Sequence, residues 1–145
     1  MRLFIILIAI VFMSACVTSN NKSKKEVSPL VSTEYLFDLS LHTKLFLQEL
    51  DKEIASKKDG NFIPSEEFIE KYNIQKIEGD YSISGFIKVD GNFREADLVS
   101  LNIKMGSKAG EIMTIIIPLE KMAKFLELKG IKYFEINKKA SIKTK

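Results

Sequence analysis

The sequence has little of what most catalytic and metal-binding sites are made from. Its 145 residues include one cysteine, Cys16, and one histidine, His42. A single cysteine excludes an internal disulfide or a two-cysteine redox couple. A zinc site needs three or four suitable ligands, and a hydrolytic triad needs a base beside its nucleophile, so neither chemistry is indicated. His42 stands among Leu41, Leu45 and Phe46 in a helical pattern, the ordinary place for a partly packed or helix-surface histidine. The carboxylate pairs Glu66-Glu67 and Glu95/Asp97 fall on solvent faces. Asp90-Gly91-Asn92 lacks the alternating acids and closing glutamate of a calcium loop, and Gly106, Gly110 and Gly130 are isolated turn glycines, not a phosphate loop. No catalytic residue, metal or cofactor is expected. Charge of one sign is also scarce. The net charge is +3, with lysines spread along the chain, so nucleic acid is not expected as a partner.

The longest apolar run is too short to span a membrane. Leu3 to Met13 is almost unbroken aliphatic and aromatic after Met1-Arg2. A spanning helix needs about 20 residues, whereas a secretory signal core has this length and these flanks. The run closes on Met13-Ser14-Ala15-Cys16, which resembles the lipobox of bacterial lipoproteins. That resemblance implies a signal peptide over residues 1–15 and Cys16 as the first mature residue. Cys16 would carry a diacylglyceryl thioether and a further acyl chain, such as palmitate, on its amine. Two or more chains give stable anchoring where one does not. The implied location is the bacterial cell envelope, with the membrane bound through Cys16. Val17 in place of aspartate favours the outer membrane over the inner one.

Residues 16–31 are polar, with Asn20 to Lys25 nearly devoid of apolar side chains, and read as a flexible tether. Residues 32–80 read as an N-terminal helix and a connecting hairpin segment. Ser32 or Thr33 can cap that helix, and Leu36, Leu39, Thr43, Phe46, Leu50 and Ile54 recur at intervals of three and four. Pro64-Ser65-Glu66-Glu67 starts a short helical turn through Phe68 and Tyr72. Tyr72–Ile77 and Tyr81–Val89 are expected strands joined by a turn at Glu78-Gly79-Asp80.

Residues 81–139 read as one domain. After the strand ending at Val89, Phe93–Leu101 suits a short helix with Phe93, Ala96, Leu98 and Leu101 inward. Ile103–Ser107 and Glu111–Ile117 suit strands, the second apolar on both faces as a central strand would be, so that a charge at Ile116 is expected to unfold the domain. Leu119–Leu128 suits a helix ended by Gly130, and Ile131–Asn137 a last strand. Residues 140–145 are a polar tail. The order β-α-β-β-α-β gives an α+β, ferredoxin-like split βαβ fold: an antiparallel sheet with two helices on one face.

Several stretches of this domain resemble one family. They are Gly85-Phe86-Ile87-Lys88-Val89, Leu101 to Thr114, Ile117-Pro118-Leu119-Glu120-Lys121-Met122, and Leu128-Lys129-Gly130-Ile131-Lys132-Tyr133-Phe134-Glu135. Together they are similar to the N-terminal prodomain of Bacteroidetes-type subtilisin-like serine proteases, and Leu39 to Leu47 is similar to the segment before it. In that family the prodomain's sheet packs on the protease, and its C-terminal segment lies in the active-site cleft like a product. The resemblance implies Phe134, Glu135 and Ile136 at the interface and the turn at Lys108 to Glu111 against the partner. It puts the segment Lys138 to Lys145, with Lys138, Lys139, Ser141 and Ile142, in the cleft. No catalytic domain follows the prodomain-like stretch here, so the resemblance implies a stand-alone, non-enzymatic relative. Two roles follow: a trans-acting inhibitor or folding helper of a subtilisin-like protease, or an envelope interaction module with no protease partner.

Overall fold

The computed structural model describes residues 30, 34–56 and 62–138. The signal, tether and tail readings, apart from Leu30 and Lys138, lie outside the described residues; Leu30 corrects the tether reading at its end, since it is buried in the core and its N–H donates to Asp51. The described residues form an α+β structure with one mixed sheet of six strands and four helices. In chain order they are β1 (Asp38–Leu39), α1 (Leu41–Ser56), α2 (Glu66–Tyr72), β2 (Gln75–Ile77), β3 (Asp80–Val89), α3 (Glu95–Ser100), β4 (Lys104–Ala109), β5 (Ile112–Pro118), α4 (Met122–Leu126) and β6 (Ile131–Ile136). The strands lie side by side as β1-β6-β3-β5-β4. All these neighbours are antiparallel except β1 and β6. Ser82 pairs with Pro118 on one side and Gln75 on the other, so β2 lies on the β6 side of β3.

Local signals account for most of these elements. Ser65 caps α2 by accepting the Phe68 N–H, two glutamates follow in its first turn, and Asn73 ends it in a left-handed conformation. The β2–β3 hairpin turns on Glu78 and Gly79, at φ 54° and 99°. That is the geometry of a two-residue turn twisted to suit its strands, and glycine accommodates the second position. Pro118 ends β5, and a 3₁₀ turn at Leu119–Lys121 leads into α4.

The N-terminal helix starts later than its periodicity suggests. Asp38 and Leu39 pair in parallel with Tyr133 and Phe134 of β6, and only then does Ser40 cap α1, its hydroxyl accepting the Thr43 N–H at 3.1 Å. Leu36 belongs to no stripe and is exposed. The expected helix over Phe93–Leu101 shortens to α3, in which only Leu98 is fully buried and Ala96 is exposed; Phe93 and Leu101, half-buried, flank it, a correction to the expected inward set. The expected helix over Leu119–Leu128 is split between the 3₁₀ turn and α4. Its main core residue is Phe125, whose ring meets Phe134 edge-on at 4.8 Å between centroids.

One hydrophobic core joins the helices to one face of the sheet. Phe46, Leu47 and Leu50 of α1, Phe68 of α2, Leu98 of α3 and Met122 and Phe125 of α4 belong to it. So do Ile83 and Ile87 of β3, Met113, Ile115 and Ile117 of β5, and Phe134 and Ile136 of β6. A second link ties α1 to β6: the buried Thr43 hydroxyl accepts the Ile136 N–H at 3.1 Å. Without it that N–H would be a costly unpaired donor.

Candidate functional site

Side chains alternate along a strand, so the residues between the core positions share the opposite face of the sheet. On β3 these are Ser84, Phe86 and Lys88; on β5 Ile112, Thr114 and Ile116; on β6 Tyr133 and Glu135. None of them is buried among the described residues, and Ile112 is 47% exposed. Pairing aligns them across the sheet: Phe86 stands opposite Thr114 and Glu135, Lys88 opposite Ile112 and Tyr133, and Ser84 opposite Ile116. The Phe86 and Tyr133 rings lie 6.0 Å apart between centroids. Cross-strand neighbours at this spacing form a continuous surface. Its apolar side chains, Phe86, Tyr133, Ile112 and Ile116, alternate across it with Ser84, Lys88, Thr114 and Glu135.

The polar side chains of this face are arranged by hydrogen bonds and ion pairs. The Tyr133 hydroxyl donates to Glu135 Oε2 at 2.6 Å. That bond to a carboxylate pushes the Tyr133 pKa above the usual phenol value, because ionisation would set two negative charges side by side. Lys138 approaches Glu135 at 3.7 Å, and Lys88 approaches Glu111 at 3.8 Å. At the other end Lys104 of β4 reaches Glu78 in the hairpin. On β4, Gly106 and Ser107 together oppose Thr114, between the pairs Met105–Ile115 and Lys108–Met113. A Cβ at Gly106 would come within 2.3 Å of the Thr114 hydroxyl, which would have to turn away.

The residues implied by the prodomain resemblance divide sharply. Glu135 lies on the open face, half-buried, and Lys138 is exposed beside it. Phe134 and Ile136 are fully buried in the core, so their side chains are not available to a partner. Three consecutive strand residues cannot face the same way, and the period of two leaves only the middle one outward. Cys16, Lys139, Ser141 and Ile142 lie outside the described residues. Of the expected turn at Lys108 to Glu111, Lys108 belongs to the end of β4 and is engaged with Glu95 of α3, and Glu111, past the turn, with Lys88. Ile116 also needs correcting: it faces the open side, and Ile115 and Ile117 are its buried neighbours.

Phe86, Tyr133 and Ile112 were not singled out from the sequence, although the period-two pattern around them was present. On β3 the run Ile83, Phe86, Ile87, Val89 interrupts strict alternation and hides which apolar residue faces outward. His42 contacts the Tyr72 ring at 5.7 Å between centroids, on the half-exposed side of α1. Among the described residues no three His, Cys, Asp or Glu side chains gather as metal ligands, and no helix is long and apolar enough to cross a membrane. An open groove of about 330 Å³ runs between Phe62, Ile63, Lys76, Tyr81 and Leu119. Comparison with protein-family models, with curated proteins and with solved structures finds no match to this chain.

Proposed function

We propose that this chain is a non-enzymatic, lipid-anchored binding protein of the bacterial cell envelope. It is cut before Cys16 and held on the membrane through that residue, and it offers the open face of its sheet to a protein partner. The observation that carries the binding role is the uncovered surface around Phe86, Tyr133, Ile112 and Ile116. Ile112 is exposed and the other three are half-buried, and apolar side chains left open to solvent together on one face mark an interaction surface. The anchor rests on the sequence ending in Cys16.

The partner class that suits this surface best is a subtilisin-like protease, which the chain would inhibit or help to fold in trans. Two features support that reading. The segment β3-α3-β4-β5-α4-β6, with neighbours in the order β6-β3-β5-β4, agrees with a ferredoxin-like split βαβ arrangement, the fold implied by the prodomain resemblance. The chain also leaves β6 beside the open face: the Asn137 side chain donates to the Ser84 hydroxyl at 3.1 Å, and Lys138 follows. A partner seated on the face is therefore next to the start of the segment holding Lys139, Ser141 and Ile142.

The test is the activity of co-encoded subtilisin-like proteases on a peptide substrate, with the protein added at micromolar concentration. The expected result is slowed hydrolysis that Phe86→Asp weakens roughly 30-fold, the loss of a central aromatic anchor. Removing residues 141–145 should abolish inhibition but leave binding. If no protease is slowed, the protease reading fails. Capture of a different envelope protein that Phe86→Asp abolishes would then identify the face as a general interaction module. Inhibition indifferent to Phe86→Asp would show that the open face is not the site.

A further inference from the structure

Helix α1 turns its acids toward the domain and leaves leucines and lysines outside. Seven large apolar side chains stand exposed among the described residues, and three of them, Leu36, Leu41 and Leu45, fall within one short stretch. Leu41 is 74% exposed and Leu45 46%. Their spacing of four sets them one turn apart on the same side of α1. Lys44, Gln48 and Lys52 are also exposed on this helix. Its carboxylates are engaged elsewhere. Glu49 takes the Lys71 ammonium at 2.7 Å, Glu53 accepts from the backbone and hydroxyl of Ser65, and Asp51 accepts the Leu30 N–H at 2.8 Å. No exposed residue of α1 is acidic.

Leucines interleaved with lysines are what a helix lying in the surface of an anionic bilayer presents. Among the described helices α1 is also the nearest to Cys16 along the chain. Fourteen positions separate Cys16 from Leu30, which its bond to Asp51 holds against α1, a reach of at most ~50 Å when fully extended. Three more lysines, Lys22, Lys24 and Lys25, lie in that interval.

We propose that the outer side of α1 is a membrane-docking face. Leu41 and Leu45 enter the boundary between headgroups and acyl chains of an anionic leaflet, and Lys44 and Lys52 lie among its phosphates. The domain then rests against the bilayer in one orientation. This inference rests on reading Cys16 as the lipid anchor. Each lysine held near an anionic leaflet strengthens binding roughly fivefold. Two leucines and a few lysines are weak alone, and become effective because the anchor keeps the helix at a high local concentration of lipid.

The chain has no tryptophan, so Leu45→Trp gives a single fluorescent reporter on the proposed face. Val99→Trp gives a control on α3, where Val99 is 62% exposed. Each full-length protein is reconstituted into vesicles of phosphatidylglycerol and phosphatidylethanolamine with brominated acyl chains. Lipid on Cys16 is read separately from the mass of the N-terminal peptide. The indole at position 45 should shift to the blue and lose roughly half its emission, as insertion to the acyl boundary requires. The indole at position 99 should keep its emission. Phosphatidylcholine vesicles, or Lys44→Glu with Lys52→Glu, should bring quenching at 45 down toward the control while leaving Cys16 lipidated. A lipidated protein with equal quenching at 45 and 99 overturns the docking face and leaves the anchor standing. If Cys16 carries no lipid, the anchor reading fails. The same comparison at higher vesicle concentration then judges the docking face alone, and equal quenching overturns it.

Discussion

Ile116 and Ile117 are consecutive on β5, and the two faces of the sheet predict opposite outcomes when each becomes aspartate. Ile117 is fully buried beside Ile83 and Ile115 in the core. Ile117→Asp forfeits about 2–3 kcal/mol of apolar burial, and a carboxylate without a partner in that interior costs several kcal/mol more. The sum rivals the about 5–15 kcal/mol that holds an ordinary domain folded, so this variant should be unfolded at room temperature. Ile116 stands half-buried on the open face, between Ser84 of β3 and Lys104 of β4. There the same change loses about 1 kcal/mol of partial burial and up to about 1 kcal/mol of strand preference. The ammonium of Lys104 directly opposite returns about 0.2–1 kcal/mol. The net cost of roughly 1 kcal/mol should lower the melting temperature by about 4–8 °C. Far-ultraviolet circular dichroism during heating, with urea titration as a second probe, separates the two. Loss of structure in Ile116→Asp as complete as in Ile117→Asp would show that the supposed open face is covered, and would remove the basis of the proposed binding surface.

Three further outcomes follow from single contacts. Thr43→Val leaves the Ile136 N–H without its acceptor and should destabilise by about 1–3 kcal/mol, read as a lower urea midpoint at unchanged slope, with Thr43→Ser largely restoring it. Gly130 has φ +81°, and a Cβ there would come within 2.4 Å of the Phe93 backbone nitrogen; Gly130→Ala should cost more than about 1 kcal/mol, and a melting temperature equal to the parent's would contradict the geometry. Tyr133 should ionise above an ordinary phenol because its hydroxyl donates to Glu135. Since its folded pKa is raised, that contribution to stability is complete below the unfolded value of 10.0 and lost as pH rises through the folded one. Burial also raises Tyr72, so ultraviolet titration should show two late phenols, of which one moves to lower pH in Glu135→Gln.

What was legible in the sequence was local. Ser65 with two following glutamates announces α2, Glu78-Gly79 announces its hairpin, and Gly130 closes the segment before β6 by adopting a positive φ. What was not legible depends on partners far along the chain. Asp38 and Leu39 carry no strand signal; they are extended because Tyr133 and Phe134 lie alongside them, and a helical spacing through Leu36 and Leu39 competed with that pairing. On β5 both alternating sets are aliphatic, Ile112 and Ile116 against Met113, Ile115 and Ile117, so periodicity could locate a strand but not its buried side. The prodomain resemblance carries Phe134, Glu135 and Ile136 over as one segment and so says nothing of which way each faces; packing leaves only Glu135 outward.

A sheet can take a partner along an edge or across a face, and the edges of this one argue for the face. The outer edge of β6 is occupied: β1 pairs with it, the Ser40 N–H donates to the Phe134 carbonyl, and the Ile136 N–H is held by Thr43. The other edge, β4, places Lys104 near its start and Lys108 near its end, and the bulge at Gly106–Ser107 breaks its ladder between them. Lysines and bulges are the devices by which edge strands resist pairing with another chain, whereas strand addition needs a regular run of free backbone groups. Substitutions on the β4 backbone edge should therefore matter little to a partner, and Phe86, at the centre of the sheet and furthest from either edge, should matter most.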